Sequence, residues 1–176
     1  MQIRKQYRFE ACHVVRKCNS ERCKKSFHGH SYVVEIFFES DILTDYGMIL
    51  DFGDLKKNGV AKLIDKLDHS WHFWTQEEEP VKDFIKTWNQ RWIEFGFNPT
   101  AENYALFLCK AVNKLIGGFK AFKEGSNNGE CDNPRVYCSK VIVHETATGY
   151  AEATIEDAYD IEQESVMICS PATENS

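Results

Sequence analysis

The stretch HGHSYVVEIFFE, residues 28–39, combines a strong strand signal with the most distinctive chemical motif of the chain. Residues 30–39 are rich in aromatic and β-branched types, which predicts a strand. Side chains two apart on a strand point to the same face, so His28 and His30 are expected to project side by side with only Gly29 between them. The stretch therefore predicts a strand that begins at a pair of imidazoles.

A third histidine completes this pattern. His13 lies at the end of residues 2–14, which alternate apolar with polar residues and predict another strand. If the two strands lie side by side, three imidazoles meet on one face of the sheet. Three neutral imidazoles with one open position are typical of a catalytic zinc site. Zinc is favoured over iron or copper because no carboxylate or extra sulfur clearly completes another geometry. His72 and His144 remain alternative ligands at this stage.

A long polar loop, residues 15–27, joins the two strands and carries candidate nucleophiles. A long loop beside metal ligands is more often functional than idle. Cys23 is the candidate base or nucleophile because its basic neighbours favour the thiolate, and Cys18 competes for the role. Five cations crowd into this loop and form either a solvated surface or an anion-steering rim. They are Arg16, Lys17, Arg22, Lys24 and Lys25.

Length and composition limit the class of protein. The 176 residues suit one domain, predicted as residues 1–157, followed by an acidic, loosely ordered tail at 158–176. A net charge of −6 disfavours general nucleic-acid binding. We expect no contact with a membrane, since no apolar run approaches the ~20 residues that cross a bilayer. With seven cysteines and no apolar signal segment, we expect a cytoplasmic protein with free thiols.

Helical patterns occupy the middle of the chain. A helix is predicted from the Asp51 cap to about residue 67, an additional one around 79–95, and a third from the Thr100 cap to Gly117. A surface loop at 123–134 and a hairpin from two strands, 135–145 and 151–155, follow. This order predicts an α+β fold, an antiparallel sheet with helices on one face, whose uncovered face and edges call for oligomerisation.

Two further motifs carry candidate chemistry. Asp68 and His69 follow the first helix and form either a proton shuttle or an ordinary surface pair at a helix end. Glu145 closes a predicted strand, where it either faces solvent in a turn or pairs with a ligand that presents donor nitrogens.

These residues together resemble the 6-pyruvoyltetrahydropterin synthase / 6-carboxy-5,6,7,8-tetrahydropterin synthase family. The resemblance extends from Phe9 to Tyr150 in the family's order, and its short motifs are specific as a set. The matching pieces are Phe9-Glu10-Ala11-Cys12-His13, a cysteine before His28-Gly29-His30-Ser31-Tyr32, Leu50-Asp51-Phe52, Leu67-Asp68-His69, Pro99-Thr100-Ala101-Glu102-Asn103 and His144-Glu145-Thr146.

The resemblance implies the tunnelling fold, a ββααββ subunit that forms a barrel in a trimer, usually paired into a hexamer, with active sites at subunit interfaces. It also implies a role for each site residue. His13, His28 and His30 would hold zinc, and Cys23, Asp68 and His69 would be catalytic. Glu145, helped by Thr100 and Thr146, would anchor the amino-pyrimidine edge of a pterin.

The implied substrate is 7,8-dihydroneopterin triphosphate. The favoured reaction gives 6-carboxy-5,6,7,8-tetrahydropterin, triphosphate and acetaldehyde, on the route to queuosine and other 7-deazapurines. The alternatives are 6-pyruvoyltetrahydropterin synthase, in the tetrahydrobiopterin pathway, and a non-catalytic zinc- or pterin-binding member. The spacing between Cys23 and His28 is intermediate between the two enzyme branches and does not choose between them.

Two segments, 71–97 and 123–134, look longer than their family counterparts. The first is rich in aromatic residues. It is predicted to add a helix that packs at a subunit edge or partly roofs the pocket, with an extra core-forming helix as the alternative.

Overall fold

A computed structural model describes residues 1–124, 135–160 and 167–174. Most of the predicted loop 123–134 lies outside these ranges. The strands are β1 Gln2–His13, β2 His28–Glu39, β3 Ser70–Trp74, β4 Trp92–Phe95, β5 Tyr137–His144, β6 Tyr150–Thr154 and β7 Met167–Cys169. The helices are α1 Glu21–Lys25, α2 Phe52–Lys57, α3 Val60–Leu67, α4 Glu79–Trp88, α5 Ala101–Ile116, α6 Gly118–Glu124, α7 Ile155–Asp160 and α8 Pro171–Glu174.

One mixed sheet organises these elements, in the order β6-β5-β2-β1-β3-β4-β7. β1 and β2 pair antiparallel along their whole length, from Gln2 opposite Glu39 to His13 opposite His28. β5 continues the sheet beyond β2, and β6 pairs with β5, both antiparallel. The predicted α+β architecture, with two strands before the helices and two after, is confirmed.

The alternation predicted for the first two strands is present. Odd-numbered residues of β1 and even-numbered residues of β2 point to the face that is buried, where Phe9 stacks on Tyr32 with 4.6 Å between ring centroids. Helix α5 covers this face by packing on β5 and β6. His13 is an odd-numbered residue of β1, and His28 and His30 are even-numbered residues of β2. All three imidazoles therefore lie at the end of the buried face.

Capping residues place the helices as predicted, with one exception. Asp51 caps α2 by accepting a hydrogen bond from the Gly53 amide at 2.8 Å, and Thr100 caps α5. The predicted helix 51–67, however, is two helices, because Gly59 adopts a left-handed φ of 85° between them. This conformation is readily available only to glycine, which explains why the apolar stripe continues although the helix does not.

The inserted segment changes the sheet. A helix is present as predicted, but α4 ends at Trp88, and residues 92–95 form β4 instead of its last turn. β3 pairs parallel to β1, and β4 parallel to β3, so the sheet is mixed rather than antiparallel throughout. The parallel pairing follows from the crossover through α4, which returns the backbone to the same end of the sheet.

Helix α4 lies on the opposite face of the sheet from α5, and this is a second departure from the predicted arrangement. Ile93 and Phe95 belong to the main core beneath α5. The intervening Glu94 instead accepts from Lys86 of α4 at 2.8 Å, and the Lys86 ammonium lies 5.0 Å above the Trp92 ring. The extension therefore has helices on both faces, and three of the four residues of β4 are buried.

The segment 158–176 is predicted to be a loosely ordered tail. Its described part completes α7, adds β7 antiparallel to β4 and forms the short α8. β7 supplies main-chain partners to a strand that would otherwise end the sheet. Among the described residues, no helix is both long enough and apolar enough to span a membrane.

Candidate active site

Three imidazoles converge where β1 and β2 pair at their ends. His13 and His28 are direct partners across the strands, and His30 is opposite Ala11. One ligand nitrogen from each of the three histidines lies within 4.8 Å of the others. Two ligands held about 2.0–2.1 Å from a tetrahedral zinc are about 3.4 Å apart, so this cluster has the dimensions of a metal site.

The hydrogen bonds of two rings fix which nitrogen is free. His13 donates from Nδ1 to the Pro99 carbonyl at 2.7 Å, and His28 donates from Nδ1 to the Ser26 carbonyl at 3.0 Å. Each neutral ring then presents an unprotonated Nε2, and these two atoms face each other at 3.1 Å. Two lone pairs at this distance repel unless a cation lies between them, and the carbonyl-bound Nδ1–H is the usual support of a metal-binding histidine. The residues present therefore fit a metal ion.

The protonation states of the three histidines also suit metal binding. His13 is fully buried, and burial lowers its pKa to about 4, with His28 and His30 adding to the effect and the Pro99 carbonyl opposing it. Burial also lowers the pKa of His30, helped by His28 and opposed by the Glu145 carboxylate. A metal binds the neutral imidazole, so lowered pKa values keep these ligands available below neutral pH.

An open cleft of about 880 Å³ lies beside the imidazoles. Cys18 and Cys23 both line it. The Cys18 thiol donates to the carbonyl of Val15 at 3.2 Å, whereas the Cys23 thiol has no hydrogen-bond partner within the described ranges. Cys23 sits on α1, whose N-cap Ser20 accepts its amide. The structure thus presents two thiols to one cleft and leaves that of Cys23 uncommitted.

Glu145 forms the opposite wall of this cleft. Its Oε1 lies 3.6 Å from His13 Nε2, and the Tyr32 hydroxyl, 3.2 Å from His13 Nδ1, is near enough to feel its charge. Burial raises the pKa of Tyr32, and the Glu145 charge raises it further, so this phenol stays protonated and remains a donor. Tyr32 therefore keeps a hydroxyl proton beside the Glu145 carboxylate.

Thr100 and Thr146 also line the cleft, but their hydroxyl oxygens serve local structure. Thr100 accepts the amide of Asn103 as the cap of α5, at 3.3 Å. Thr146 accepts the amide of Gly149 at 2.9 Å, in the turn between β5 and β6. Each hydroxyl proton is still free to donate to a ligand.

Asp68 and His69 form a pair away from this cleft. The Asp68 carboxylate accepts the Glu10 amide at 2.7 Å and faces His69 Nδ1 at 2.7 Å. His69 is well exposed and lines a second cleft, of about 400 Å³, in which Cys23 takes no part. This cleft contains Glu10 and Ser31, which point to the face of the sheet not covered by α5. His69 of the predicted acid–base pair and the predicted thiol Cys23 therefore line different clefts.

The two alternative histidines lie elsewhere. His72 is buried in the core, between the Ser70 hydroxyl at 2.7 Å and the Tyr104 hydroxyl at 2.6 Å. His144 faces Glu35 at 3.3 Å. Among the described residues, one group of histidine, cysteine or acidic side chains has at least three members close enough together to hold a metal ion. This group is His13, His28 and His30.

The five cations of the loop have separate uses. Arg16 pairs with Glu77 at 2.7 Å, Lys24 and Lys25 both pair with Glu21, and Lys17 lies 4.7 Å above the Trp74 ring. Arg22 lines the cleft, and its side chain makes no hydrogen bond or ion pair within the part of the protein that the structure describes. Four of the five cations thus have partners within the protein, and the Arg22 guanidinium is available to a ligand in the cleft.

Sequence reasoning missed two contributors to this site. Tyr32 shares strand parity with His28 and His30, so the alternation of β2 could have placed it beside them. The other is the backbone carbonyl of Pro99, which fixes the His13 ring. No sequence pattern marks a carbonyl whose partner is 86 residues away.

Comparison with known proteins gives consistent results. A family model described as 6-pyruvoyl tetrahydropterin synthase matches residues 2–156. A protein of Helicobacter pylori (strain J99) named 6-carboxy-5,6,7,8-tetrahydropterin synthase is 39% identical over 157 residues, covering 89% of this chain and 74% of its own. One of the same name from Aquifex aeolicus is 32% identical over 170 residues, covering 86% and 96%.

Solved structures share the fold. A 6-pyruvoyl tetrahydropterin synthase from Plasmodium falciparum superposes with a TM-score of 0.61 at 19% identity, over 87% of this chain and 96% of its own. An uncharacterized protein from Wolinella succinogenes gives a TM-score of 0.63 at 20% identity, over 88% and 97%. At these identities the likeness concerns the fold alone.

We predict that His28→Ala abolishes stoichiometric zinc binding, because it removes one of two facing Nε2 atoms. Metal content is measured by plasma mass spectrometry after dialysis against a weak chelator. His144→Ala is the matched control, since its imidazole pairs with Glu35, and it should keep its zinc. Equal zinc content in His28→Ala and the parent protein would contradict the assignment.

Proposed function

Because this chain belongs to the 6-pyruvoyl tetrahydropterin synthase family, we propose that it is a zinc-dependent carbon–oxygen lyase acting on 7,8-dihydroneopterin triphosphate. The product is 6-carboxy-5,6,7,8-tetrahydropterin, with triphosphate and acetaldehyde released, on the route to queuosine and other 7-deazapurines in the cytoplasm. The similar proteins from Helicobacter pylori and Aquifex aeolicus, which are named for this product, support the choice. The observation that carries the proposal is one cleft lined by a free thiol, a carboxylate and two of the three convergent imidazoles.

The residues around the cleft divide the work. Glu145 presents a carboxylate that can accept two hydrogen bonds from an amino-pyrimidine edge, and the protonated Tyr32 lies near it. Thr100 and Thr146 can donate their hydroxyl protons to the same pterin. The ring is thereby oriented with its side chain toward the three histidines, an arrangement that lowers the entropic barrier to reaction.

Acid–base chemistry then falls to the thiol. A zinc ion bound by His13, His28 and His30 would act as a Lewis acid that makes the C–H bonds of the substrate's side chain more acidic. Cys23, as the thiolate, removes a proton from that side chain. The leaving triphosphate is stabilised by Arg22, whose guanidinium matches phosphate oxygens in a bidentate manner.

The return of the proton requires His69, which we place in the site of a neighbouring subunit. His69 is exposed on the uncovered face of the sheet, beside the second cleft. Sheet edges support such assembly, because β6 ends the sheet and residues 2–8 of β1 make ladder pairs with β2 alone among the described strands. Exposed strand edges favour pairing between copies, so we propose a trimer or a hexamer with active sites between subunits.

Incubating the zinc-loaded protein with 7,8-dihydroneopterin triphosphate tests the reaction. Mass spectrometry of the products should show 6-carboxy-5,6,7,8-tetrahydropterin, with acetaldehyde trapped separately. A 6-pyruvoyl product would instead assign the protein to the tetrahydrobiopterin branch, for which the family model's own description provides the support. Unchanged substrate would indicate a non-catalytic zinc- or pterin-binding protein.

We expect Cys23→Ala to lower kcat about 100- to 10,000-fold, the range typical of losing a general base. Zinc content should not change, because the thiol lies outside the imidazole cluster. Cys18→Ala should keep most of the activity, since its thiol is engaged with the Val15 carbonyl. The reverse pattern in the two variants would move the catalytic role to Cys18.

Arg22→Ala should raise KM for the triphosphate substrate about 10-fold or more, the value of one charge-assisted contact. Lys25→Ala provides the control, because Lys25 is exposed and pairs with Glu21. Binding of dephosphorylated 7,8-dihydroneopterin should be the same in both variants and the parent. An equal loss of affinity for the two pterins would show that Arg22 does not bind the phosphates.

A further inference from the structure

The loop that carries the two thiols is fastened to the inserted segment through one arginine. Arg16 donates from Nε to Glu77 Oε2 at 2.7 Å, and its Nη1 donates to the carbonyl of Lys24, which is next to Cys23. A single planar guanidinium thus connects the loop between β3 and α4 to the end of α1. Lysine could not make both contacts, because only the guanidinium projects several donors in fixed directions.

Glu77 is unusual for a carboxylate in a surface extension. Its side chain is only 2% exposed, whereas that of Arg16 is 30% exposed. Its second oxygen accepts the amide of Glu78 at 3.0 Å, so both oxygens have partners. Burying an unpaired carboxylate costs free energy. The Arg16 guanidinium is therefore held beside Glu77, whose position is set by the inserted segment.

The backbone at Arg16 is held from the other end of the insertion as well. Asn98, after β4, accepts the Arg16 amide at 3.0 Å and donates to the Arg16 carbonyl at 2.5 Å. The next residue, Lys17, has a left-handed φ of 60°, which non-glycine residues adopt only where their surroundings impose it. The amide of Val15 donates to the Cys23 carbonyl at 3.0 Å and closes the loop.

From these contacts we propose that Glu77 is a positioning residue, which acts through Arg16 to hold α1 and the Cys23 thiol over the cleft. The inserted segment would then form the support of the catalytic loop as well as an extension of the sheet. The part of this proposal that concerns catalysis rests on the proposed role of Cys23, and the part that concerns loop position does not.

Thiol alkylation tests the position without any substrate. The zinc-loaded full-length protein is treated with iodoacetamide, and the rate at each cysteine is followed by peptide mass spectrometry. In Glu77→Ala, Cys23 should react several-fold faster than in the parent, because Arg16 no longer anchors α1. Cys12, which belongs to β1 and lines the second cleft, serves as the reference thiol and should keep its alkylation rate.

Four further variants sharpen this measurement. Glu79→Ala removes a carboxylate of the same segment that pairs with Lys82 instead of the loop, and it should leave Cys23 unchanged. Arg16→Ala should accelerate Cys23 alkylation as much as Glu77→Ala does. The double variant should react no faster than either single variant, as expected for residues that act as one unit. Glu77→Gln keeps one acceptor oxygen, so its Cys23 alkylation rate should lie between those of Glu77→Ala and the parent. If Glu77→Ala does not fold, the rate in Glu77→Gln decides the outcome.

Kinetics give the second measurement. A displaced thiol should reduce kcat about 10- to 100-fold, as for a misplacement of about 1 Å, with little change in KM or zinc content. An unchanged Cys23 alkylation rate in folded Glu77→Ala would overturn the proposal. Equal acceleration at Cys23 and Cys12 would also overturn it, because it would show general loosening of the fold. If the parent itself shows no turnover, the proposed function fails while the alkylation result still decides the position.

Discussion

The register of β1 against β2 is the constraint on which the site depends. His13 faces His28 across this pair, and the alternation that buries Phe9 and Tyr32 also turns the imidazoles to the same face. A shift of one residue would move every apolar side group of one strand to the opposite face. The hydrophobic core therefore enforces the geometry of the imidazole cluster, and the Pro99 carbonyl then sets the orientation of the His13 ring.

Those features that depend on local periodicity could be predicted from the sequence. The strand alternation at residues 28–39, the caps Asp51 and Thr100, and the close approach of three histidines all follow from side-chain spacing and from backbone hydrogen bonding at helix ends. Gly59 shows the limit of that reasoning. The apolar pattern continues past it, but its positive φ ends one helix and begins another.

The extension was harder to predict for a physical reason. β4 has only four residues, and the alternation of Ile93, Glu94 and Phe95 within it is too short to identify a strand. The partners that decide its structure also come from distant parts of the sequence, such as Cys169 opposite Ile93. The same holds for the loop cations, because a run of basic residues does not reveal which ones have acidic partners such as Glu77.

The pairing of His13 with His28 also bears on the order in which the molecule folds. These partners are only 15 residues apart in sequence, whereas the Glu35–His144 contact across β2 and β5 spans 109. Short loops close at lower entropic cost, and contacts between near neighbours form earlier. During synthesis, the hairpin that carries all three imidazoles can thus take shape long before the wall that bears Glu145 leaves the ribosome. The half of the cleft that carries the imidazoles is a local structure, whereas the half that carries Glu145 depends on the last third of the sequence.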